Sequence, residues 1–166
     1  MSVRNKLWKI KPSNIQIEKI KQYDPLLNQL LINRGIIDFS ARKKFLDTSL
    51  FDSHDPYKLL DMDKAVNRIK NAIKQKQKIL VYGDYDVDGI TSTVILLKVI
   101  EELGGIAEYY IPDRHKEGYG LNKDALLWAA QSGFELIITV DCGISAVNEA
   151  SFASELGLDL VITDHH

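Results

Sequence analysis

Cysteine is nearly absent from this 166-residue chain, whose one such residue is Cys142. A single thiol excludes an internal disulfide and is typical of a protein from a reducing compartment. No apolar run approaches the roughly 20 residues that a membrane-spanning helix needs. The chain opens on Met1-Ser2-Val3-Arg4-Asn5-Lys6, without the apolar stretch of a secretory leader. We therefore expect a cytoplasmic protein with no membrane association.

An excess of charge of either sign is also lacking. Lys and Arg total 21 against 23 Asp and Glu, which gives a net charge of −2. A dedicated DNA-binding domain is usually basic overall. Any nucleic-acid-binding surface here therefore has to be a local patch or has to be supplied by a part of the protein outside this chain. The apolar share of 45% is ordinary for a globular protein. A chain of this length can bury a core without a disulfide or a structural metal.

Two phosphate-binding signatures are missing as well. No Gly-x-Gly-x-x-Gly follows a predicted strand, and the chain contains no Gly-Lys-Ser/Thr. Neither dinucleotide binding nor P-loop nucleotide binding is therefore supported.

Two regions of different patterning follow each other. Residues 1–60 contain short helical patterns around 26–31 and 39–46, separated by Arg34-Gly35, and we predict a small N-terminal helical extension. Residues 61–166 alternate apolar strands with helices, which predicts an α/β domain with a parallel sheet flanked by helices. The strands are near-continuous apolar runs, which indicates burial on both faces of the sheet. We predict strands at 79–82, 106–111, 136–140 and 160–162, and helices at 62–73, 90–103, 123–131 and 145–156.

Three of the predicted strands run directly into residue types that bind metals. The clusters are Asp84-Tyr85-Asp86-Val87-Asp88, then Asp141, then Asp164-His165-His166. Open α/β sheets bind their ligands at the carboxyl ends of parallel strands. We therefore expect these three clusters to meet at one rim of the sheet.

The spacing of the first cluster has a physical consequence. Aspartates two residues apart on an extended segment lie on one side, about 6.5–7 Å from each other. Their charges repel and raise one another's pKa, and a divalent cation removes that conflict. Histidines nearby favour manganese, zinc or iron over calcium, with magnesium as the alternative for a site of mostly oxygen ligands.

The first cluster allows two other interpretations. An EF-hand loop also begins Asp-x-Asp-x-Asp-Gly, but its twelfth position is Glu, whereas Ile95 stands there when counting from Asp84. Solvated carboxylates without any metal are the second alternative. The two further clusters at equivalent strand ends count against it.

Candidate ligand-binding residues flank these clusters. Gly89-Ile90-Thr91-Ser92 opens the next helix, where free backbone amides favour a phosphate; an ordinary capped helix start is the alternative. The loop at 112–120 leaves the second strand at the same rim. In it, Arg114 suits a bidentate grip on a phosphate and Tyr119 suits stacking on a base. A polar turn with solvated charges is the alternative there.

With these motifs in place, the chain resembles the DHH phosphoesterases. Residues 84–89 are similar to the first motif of that family, Asp141 to the second, and Asp164-His165-His166 to the third. Within the family the chain most resembles the RecJ-type single-strand-specific exonucleases. This likeness is carried by 81–92, 111–121 and 139–144, with further similarity at 31–36 and 61–65, and it covers nearly the whole chain.

The resemblance implies a hydrolase that uses two divalent ions, usually Mn²⁺, with Mg²⁺ as the alternative. Asp86 and Asp88 would ligate the two ions, Asp141 would bridge them, and His165 would be a further ligand. Asp84 stands near the place where many relatives carry a histidine ligand. All five are counted here as catalytic and metal-binding candidates.

The resemblance also assigns roles around these ligands. His166 would contact the scissile phosphate and is a candidate for both catalysis and substrate binding. Asp164 would support the metal ligands from behind. The remaining candidates for substrate binding are Thr91, Ser92, Arg114 and Tyr119.

The family pattern continues past the third motif to a fourth, and RecJ-type proteins add C-terminal domains. We therefore expect residues 61–166 to be the N-terminal part of a DHH domain, truncated at the DHH motif. The implied function is 5′-to-3′ hydrolysis of single-stranded DNA in repair and recombination, with a helicase and a single-strand-binding protein as further partners. The alternatives are a DHH enzyme acting on short oligonucleotides or cyclic dinucleotides, and a non-catalytic DHH module that binds DNA or a protein.

Overall fold

The computed structural model describes residues 23–47, 49 and 53–165. The chain divides between Asp55 and Pro56 into two compact units. The first unit contains two short helices, α1 (Pro25–Asn33) and α2 (Phe39–Leu46), which confirms the two helical patterns predicted there.

A buried polar contact joins the two helices of the first unit. Arg42 on α2 is 1% exposed, and its Nη1 donates to Oδ1 of Asn28 on α1 at 2.9 Å. Its Nε donates to the backbone oxygen of Ile36 at 3.2 Å. These bonds compensate part of the cost of burying a guanidinium among apolar residues.

The second unit begins with a short 3₁₀ helix at Pro56–Lys58 and continues as an alternation of helices and strands. The elements are α3 (Met62–Gln75), β1 (Lys78–Gly83), α4 (Val87–Glu102), β2 (Ile106–Tyr110), α5 (Lys123–Gln131), β3 (Leu136–Val140), α6 (Val147–Glu155) and β4 (Asp159–Thr163). The predicted alternation is confirmed. The largest difference between a predicted and an observed boundary is at α4, which begins three residues before its predicted start.

The four strands form one parallel sheet in the order β2-β1-β3-β4. All five residues of β3 are buried, as are those from Ile79 to Gly83 in β1. The edge strands β2 and β4 are partly exposed. Burial on both faces is therefore confirmed for the two central strands, while the edge strands fall short of it.

Each face of the sheet is covered by a different pair of helices. Side chains on successive strand residues point to opposite faces, so β1 and β3 contribute to two separate cores. One core contains Leu80, Tyr82, Leu126, Ile137 and Ala153, and so receives α5 and α6. The other contains Ala72, Val81, Ile100, Ile138 and Val140, and so receives α3 and α4.

The order of connections places a crevice between the two central strands. From β1 the chain crosses through α4 to β2 on one side, then returns through α5 to β3 on the other side of β1. The strand order reverses at this point, and open α/β sheets bind ligands in the crevice outside the carboxyl ends of such strands. The sheet therefore offers its binding position just beyond Gly83 and Val140.

None of the helices in the described ranges combines the length and apolar character that crossing a bilayer requires.

The N-cap of α5, Asn122, leads to a testable prediction about stability. Oδ1 of Asn122 accepts a bond from the Ala125 backbone N at 2.8 Å, and its Nδ2 donates to the Tyr82 hydroxyl at 3.1 Å. Replacing Asn122 with alanine removes both bonds and is expected to lower the free energy of unfolding by about 1–2 kcal/mol. Urea denaturation measures this. Asn122→Asp keeps the cap but not the donor, so a loss equal to that of alanine would contradict the assignment of the cap.

Candidate metal centre at the carboxyl edge of the sheet

The three acidic clusters lie at one edge of the sheet. Asp84 directly follows β1, Asp141 directly follows β3, and Asp164 directly follows β4. Because these strands are parallel neighbours, their carboxyl ends lie side by side. The predicted meeting at one rim is confirmed, and Asp84 and Asp141 flank the crevice where the strand order reverses.

Three carboxylates form the centre of the site. Asp84, Asp86 and Asp141 each offer an oxygen, and the three oxygens lie within 4.8 Å of one another. Asp84 and Asp141 are buried, with 4% and 7% of their surfaces exposed, whereas Asp86 is exposed. Oδ1 of Asp84 and Oδ1 of Asp141 are buried and accept no hydrogen bond from the described residues. Buried acceptors of this kind are costly unless another partner satisfies them.

Asp141 holds its carboxylate through an uncommon backbone conformation. Its φ of 61° lies in the left-handed region, which costs about 1–2 kcal/mol for residues other than glycine and is best tolerated by Asn and Asp. The Asp141 backbone N donates to the Thr163 oxygen at 3.0 Å. Burial first, and then the neighbouring Asp86 carboxylate, raise the pKa of Asp141, while His165 opposes that rise.

His165 brings an imidazole nitrogen to this centre. Its Nε2 lies 2.7 Å from Oδ1 of Asp141. An imidazole nitrogen and a carboxylate oxygen are both atom types that bind divalent cations of the first transition row. Asp164 sits behind His165, because its Oδ1 accepts the His165 backbone N at 2.7 Å and its Oδ2 accepts the Ile144 N at 2.9 Å.

The segment after Asp84 differs from the extended arrangement that the sequence predicted. Asp86 is the N-cap of α4, and its Oδ1 accepts the backbone N of Asp88 at 2.9 Å and that of Gly89 at 3.0 Å. Asp88 therefore lies in the first helical turn, outside the close trio of carboxylates. The expectation of three aligned aspartates was wrong, since the chain turns into a helix after the second one.

The same cap changes the expected phosphate site at the start of α4. Two of the free amides of the helix are already satisfied by Asp86. The Thr91 hydroxyl donates back to the Val87 oxygen at 2.7 Å. The interpretation as a capped helix start therefore accounts for these groups without any bound anion.

A cleft of about 320 Å³ adjoins the carboxylates. It brings together several of the residues that the sequence singled out. They are Asp88, Thr91, Ser92, Asp141, Asp164 and His165. Asp88 thus borders the same space as Asp141 and His165, although it stands outside the close trio.

The loop between β2 and α5 reaches the site from one side. The Tyr119 hydroxyl donates to the backbone oxygen of Asp141 at 3.3 Å, and burial together with nearby carboxylates raises the pKa of Tyr119 to about 12. The guanidinium carbon of Arg114 lies 5.3 Å from the centre of the Tyr85 ring, within the range of a cation–π contact. Tyr119 therefore contacts the backbone of Asp141, and Arg114 lies against Tyr85 in the first acidic cluster, while neither residue lines the cleft.

Two site residues escaped the sequence analysis, and one predicted residue lies outside the described part of the chain. Tyr85, inside the first motif, supports Arg114. Glu117 organises the loop by accepting bonds from the Tyr110 hydroxyl and the Asp113 backbone N. Neither periodicity nor residue spacing shows that Tyr85 meets Arg114 or that Glu117 meets Tyr110, because both contacts are tertiary. His166 lies outside the described residues, so its predicted role is untouched by the structure.

The donor set fits a divalent cation. It offers three carboxylates and one imidazole, and two of the carboxylate oxygens are buried without a hydrogen bond from the described residues. Manganese accepts both oxygen and imidazole ligands, and magnesium suits a site in which oxygen dominates. A cation would also screen the mutual repulsion of the trio.

The family follows from a match to its profile. Residues 78–166 match the family described as the DHH family, N-terminal domain. The chain belongs to the DHH family. The matched range contains all three acidic clusters, so the predicted family resemblance is confirmed.

DHH relatives of known activity are similar along nearly the whole chain. The single-stranded-DNA-specific exonuclease RecJ of Bacillus subtilis is 45% identical over 163 residues, which cover 96% of this chain and 21% of that protein. RecJ of Haemophilus influenzae is 35% identical over 158 residues, covering 95% and 27%. The chain thus spans about a fifth to a quarter of the length of these curated relatives. The predicted likeness to RecJ-type exonucleases is confirmed.

Solved structures of RecJ share the fold. An exonuclease RecJ bound to manganese superposes with a TM-score of 0.59 at 37% identity, covering 62% of this chain and 26% of that one. RecJ of Thermus thermophilus in complex with Mn²⁺ gives a TM-score of 0.65 at 30% identity, covering 86% and 19%. The Mg²⁺ complex from the same organism gives 0.52 at 27% identity, covering 86% and 16%.

Proposed function

We propose that this chain carries most of the metal-binding half of a phosphodiesterase that removes nucleotides from the 5′ end of single-stranded DNA. The observation that carries the chemistry is the meeting of Asp84, Asp86 and Asp141, with His165 in contact with Asp141. The choice of DNA as substrate comes from the similarity to RecJ exonucleases. Repair and recombination of DNA are the processes that this activity would serve.

Five residues would hold two divalent ions, Mn²⁺ in the first place and Mg²⁺ as the alternative. They are Asp84, Asp86, Asp88, Asp141 and His165, and Asp164 would hold His165 in place through its backbone N. Such ions supply activation of a water molecule and neutralisation of charge at the phosphorus. The protein contributes a rigid rim, because its ligands follow buried strands and a helix cap.

The other proposed residues would hold the DNA. Arg114, supported by the Tyr85 ring, would bind a backbone phosphate, and Tyr119 would stack on a base. Ser92, which borders the cleft, would contact the nucleotide. Thr91 would join it only after giving up the bond to Val87. His166 would contact the scissile phosphate.

The wider proposals follow from the same similarity. A helicase that opens duplex DNA and a protein that coats the single strand would be its partners, and the cytoplasm its location. Residues 1–60 would be an N-terminal helical extension of the DHH domain.

The test is hydrolysis of labelled oligonucleotides by the intact protein. With Mn²⁺, a single strand labelled at its 5′ end is expected to release labelled mononucleotide at once, whereas a 3′ label is released only after the strand has been shortened. A blunt duplex and a chelator should each suppress release. Activity restricted to dinucleotides or cyclic dinucleotides would favour the alternative substrate. Failure to bind Mn²⁺ in calorimetric titration would favour the non-catalytic module.

A further inference from the structure

Two stacked tyrosines hold the loop that carries Arg114 and Tyr119. Tyr82 on β1 and Tyr110 on β2 are partners in the strand register. Their rings are 5.2 Å apart with an angle of 22° between the planes. The Tyr110 ring also packs against Trp128 at 5.6 Å. Both hydroxyl groups are therefore held in fixed positions at the end of the sheet that faces the loop.

Tyr110 holds the beginning of the loop through Glu117. Its hydroxyl donates to Oε1 of Glu117 at 2.7 Å, while Oε2 of the same carboxylate accepts the Asp113 backbone N at 2.9 Å. The Glu117 backbone N donates to the Asp113 oxygen at 2.9 Å. One carboxylate thus closes the turn from Asp113 to Glu117 and ties it to β2. Burial, and then the bond to Glu117, raise the pKa of Tyr110 to about 12, so its hydroxyl remains a donor at neutral pH.

Tyr82 holds the end of the loop. Its hydroxyl donates to the Gly120 oxygen at 2.8 Å and accepts the Asn122 side-chain amide at 3.1 Å. Gly118 stands between the two anchored residues, Glu117 and Gly120. Gly118 and Gly120 have φ of 81° and 87°, and a Cβ added at either would meet nothing within 4 Å. The loop therefore takes little of its order from packing and depends on its anchors.

We propose that Tyr110 and Glu117 are positioning residues, whose hydrogen bond holds Arg114 beside the Tyr85 ring and Tyr119 against the Asp141 backbone for binding of the DNA strand. Arg114 lies three residues before Glu117 and Tyr119 two residues after it, so the anchored carboxylate sits between them in the chain. The part of this inference that concerns DNA rests on the proposed function. The part that concerns the order of the loop does not.

The order of the loop is tested by limited proteolysis of the intact protein. Trypsin cleaves after Arg114 and Lys116, both of which are exposed in this loop. Tyr110→Phe and Glu117→Gln are each expected to speed cleavage at these two bonds about threefold to tenfold, which is the scale set by losing one charge-assisted hydrogen bond near solvent. Tyr109→Phe is the matched control, because Tyr109 is 64% exposed and its hydroxyl makes no hydrogen bond within the described residues. Equal cleavage of wild type and both variants would overturn the proposal.

Kinetics on single-stranded DNA separates positioning from a general loss of structure. Tyr110→Phe and Glu117→Gln are expected to raise KM about threefold to tenfold with little change in kcat, as loss of a binding contact does. The double variant should raise KM by less than the product of the two single effects, since the two substitutions act on the same hydrogen bond. A lower kcat with unchanged KM would show a merely structural role and overturn the proposal. If the wild-type protein were inactive on DNA, the proposed function would be wrong. The proteolysis result would still show whether the Tyr110–Glu117 bond orders the loop.

Discussion

Replacing Asp141 with asparagine is expected to abolish metal-dependent hydrolysis while leaving the protein folded. Asparagine keeps the size of the side chain and, like aspartate, tolerates the left-handed backbone of this position, whereas alanine would add strain. Only the charge is lost. Removing a group that merely supports a metal ligand costs about 10–100-fold in metal affinity or activity, so loss of Asp141, which we propose as a direct ligand, should exceed that range. Calorimetric titration with Mn²⁺ and the 5′-label assay measure the two effects.

The effect of Asp141→Asn on thermal stability should change sign between metal-free and metal-bound protein. Asp141 is buried beside Asp84 and Asp86, so its negative charge is unfavourable without a cation. We expect Asp141→Asn to melt at a higher temperature than wild type in a chelator and at a lower one in excess Mn²⁺, since only the wild type gains binding energy. Asp63→Asn, at an exposed position in the first turn of α3, is the control. An unchanged order of melting temperatures with and without Mn²⁺ would contradict a metal role for Asp141.

The position of the site at one edge of the sheet could be predicted from the sequence, because it depends only on the alternation of strands and helices. Alternating apolar strands and helices imply a parallel sheet, and in such a sheet the carboxyl ends of all strands lie at one edge. Asp84 and Asp141 each come directly after a buried strand, so their meeting needed no knowledge of side-chain geometry. Which strands are neighbours was not predictable in this way. The reversal of strand order between β1 and β3, which places these two aspartates at the crevice, appears only in the pairing.

The first motif shows where a local pattern was misinterpreted. Alternate aspartates suggested an extended segment, yet an aspartate just before an apolar helix is also a common N-cap. Asp86 takes that second role and turns the chain into α4 at Val87. The cap signal was present in the sequence, and applying it would have placed Asp88 in the helix.

The loop shows a limit of a different kind. Arg114 and Tyr119 were predicted from their chemistry, but their supports, Tyr85 and Glu117, were not. Glu117 accepts the hydroxyl of Tyr110, and Tyr110 is held in place beside Tyr82, its partner in the strand register. That register cannot be derived from the spacing of residues within one strand. Anchors of this sort are tertiary contacts, and residue types alone do not identify them.

Replacing Gly89 with alanine is expected to destabilise the protein and to separate two of the three clustered carboxylates, Asp84 and Asp86. Gly89 lies in α4 with ordinary helical backbone, where alanine is intrinsically favoured by about 1 kcal/mol. A Cβ at this position, however, would stand 2.4 Å from the Asp84 oxygen and 2.6 Å from its nitrogen. Both are backbone atoms at the end of a buried strand, so neither can rotate away. The helix must move off Asp84, and Asp86, which caps that helix, must move with it.

The expected loss in free energy of unfolding is about 3 kcal/mol or more, the upper part of the range for overpacking a core. Gly157→Ala is the matched control: its φ of 74° is strained for alanine, but the space around it is open, so we expect a loss of about 1–2 kcal/mol. Urea denaturation of both variants separates crowding from backbone strain. The fraction of Gly89→Ala that still folds should bind Mn²⁺ more weakly than wild type, because the Asp84–Asp86 spacing has changed. Wild-type stability in Gly89→Ala would mean that α4 does not press on Asp84, and full Mn²⁺ affinity would mean that this contact does not set the geometry of the centre.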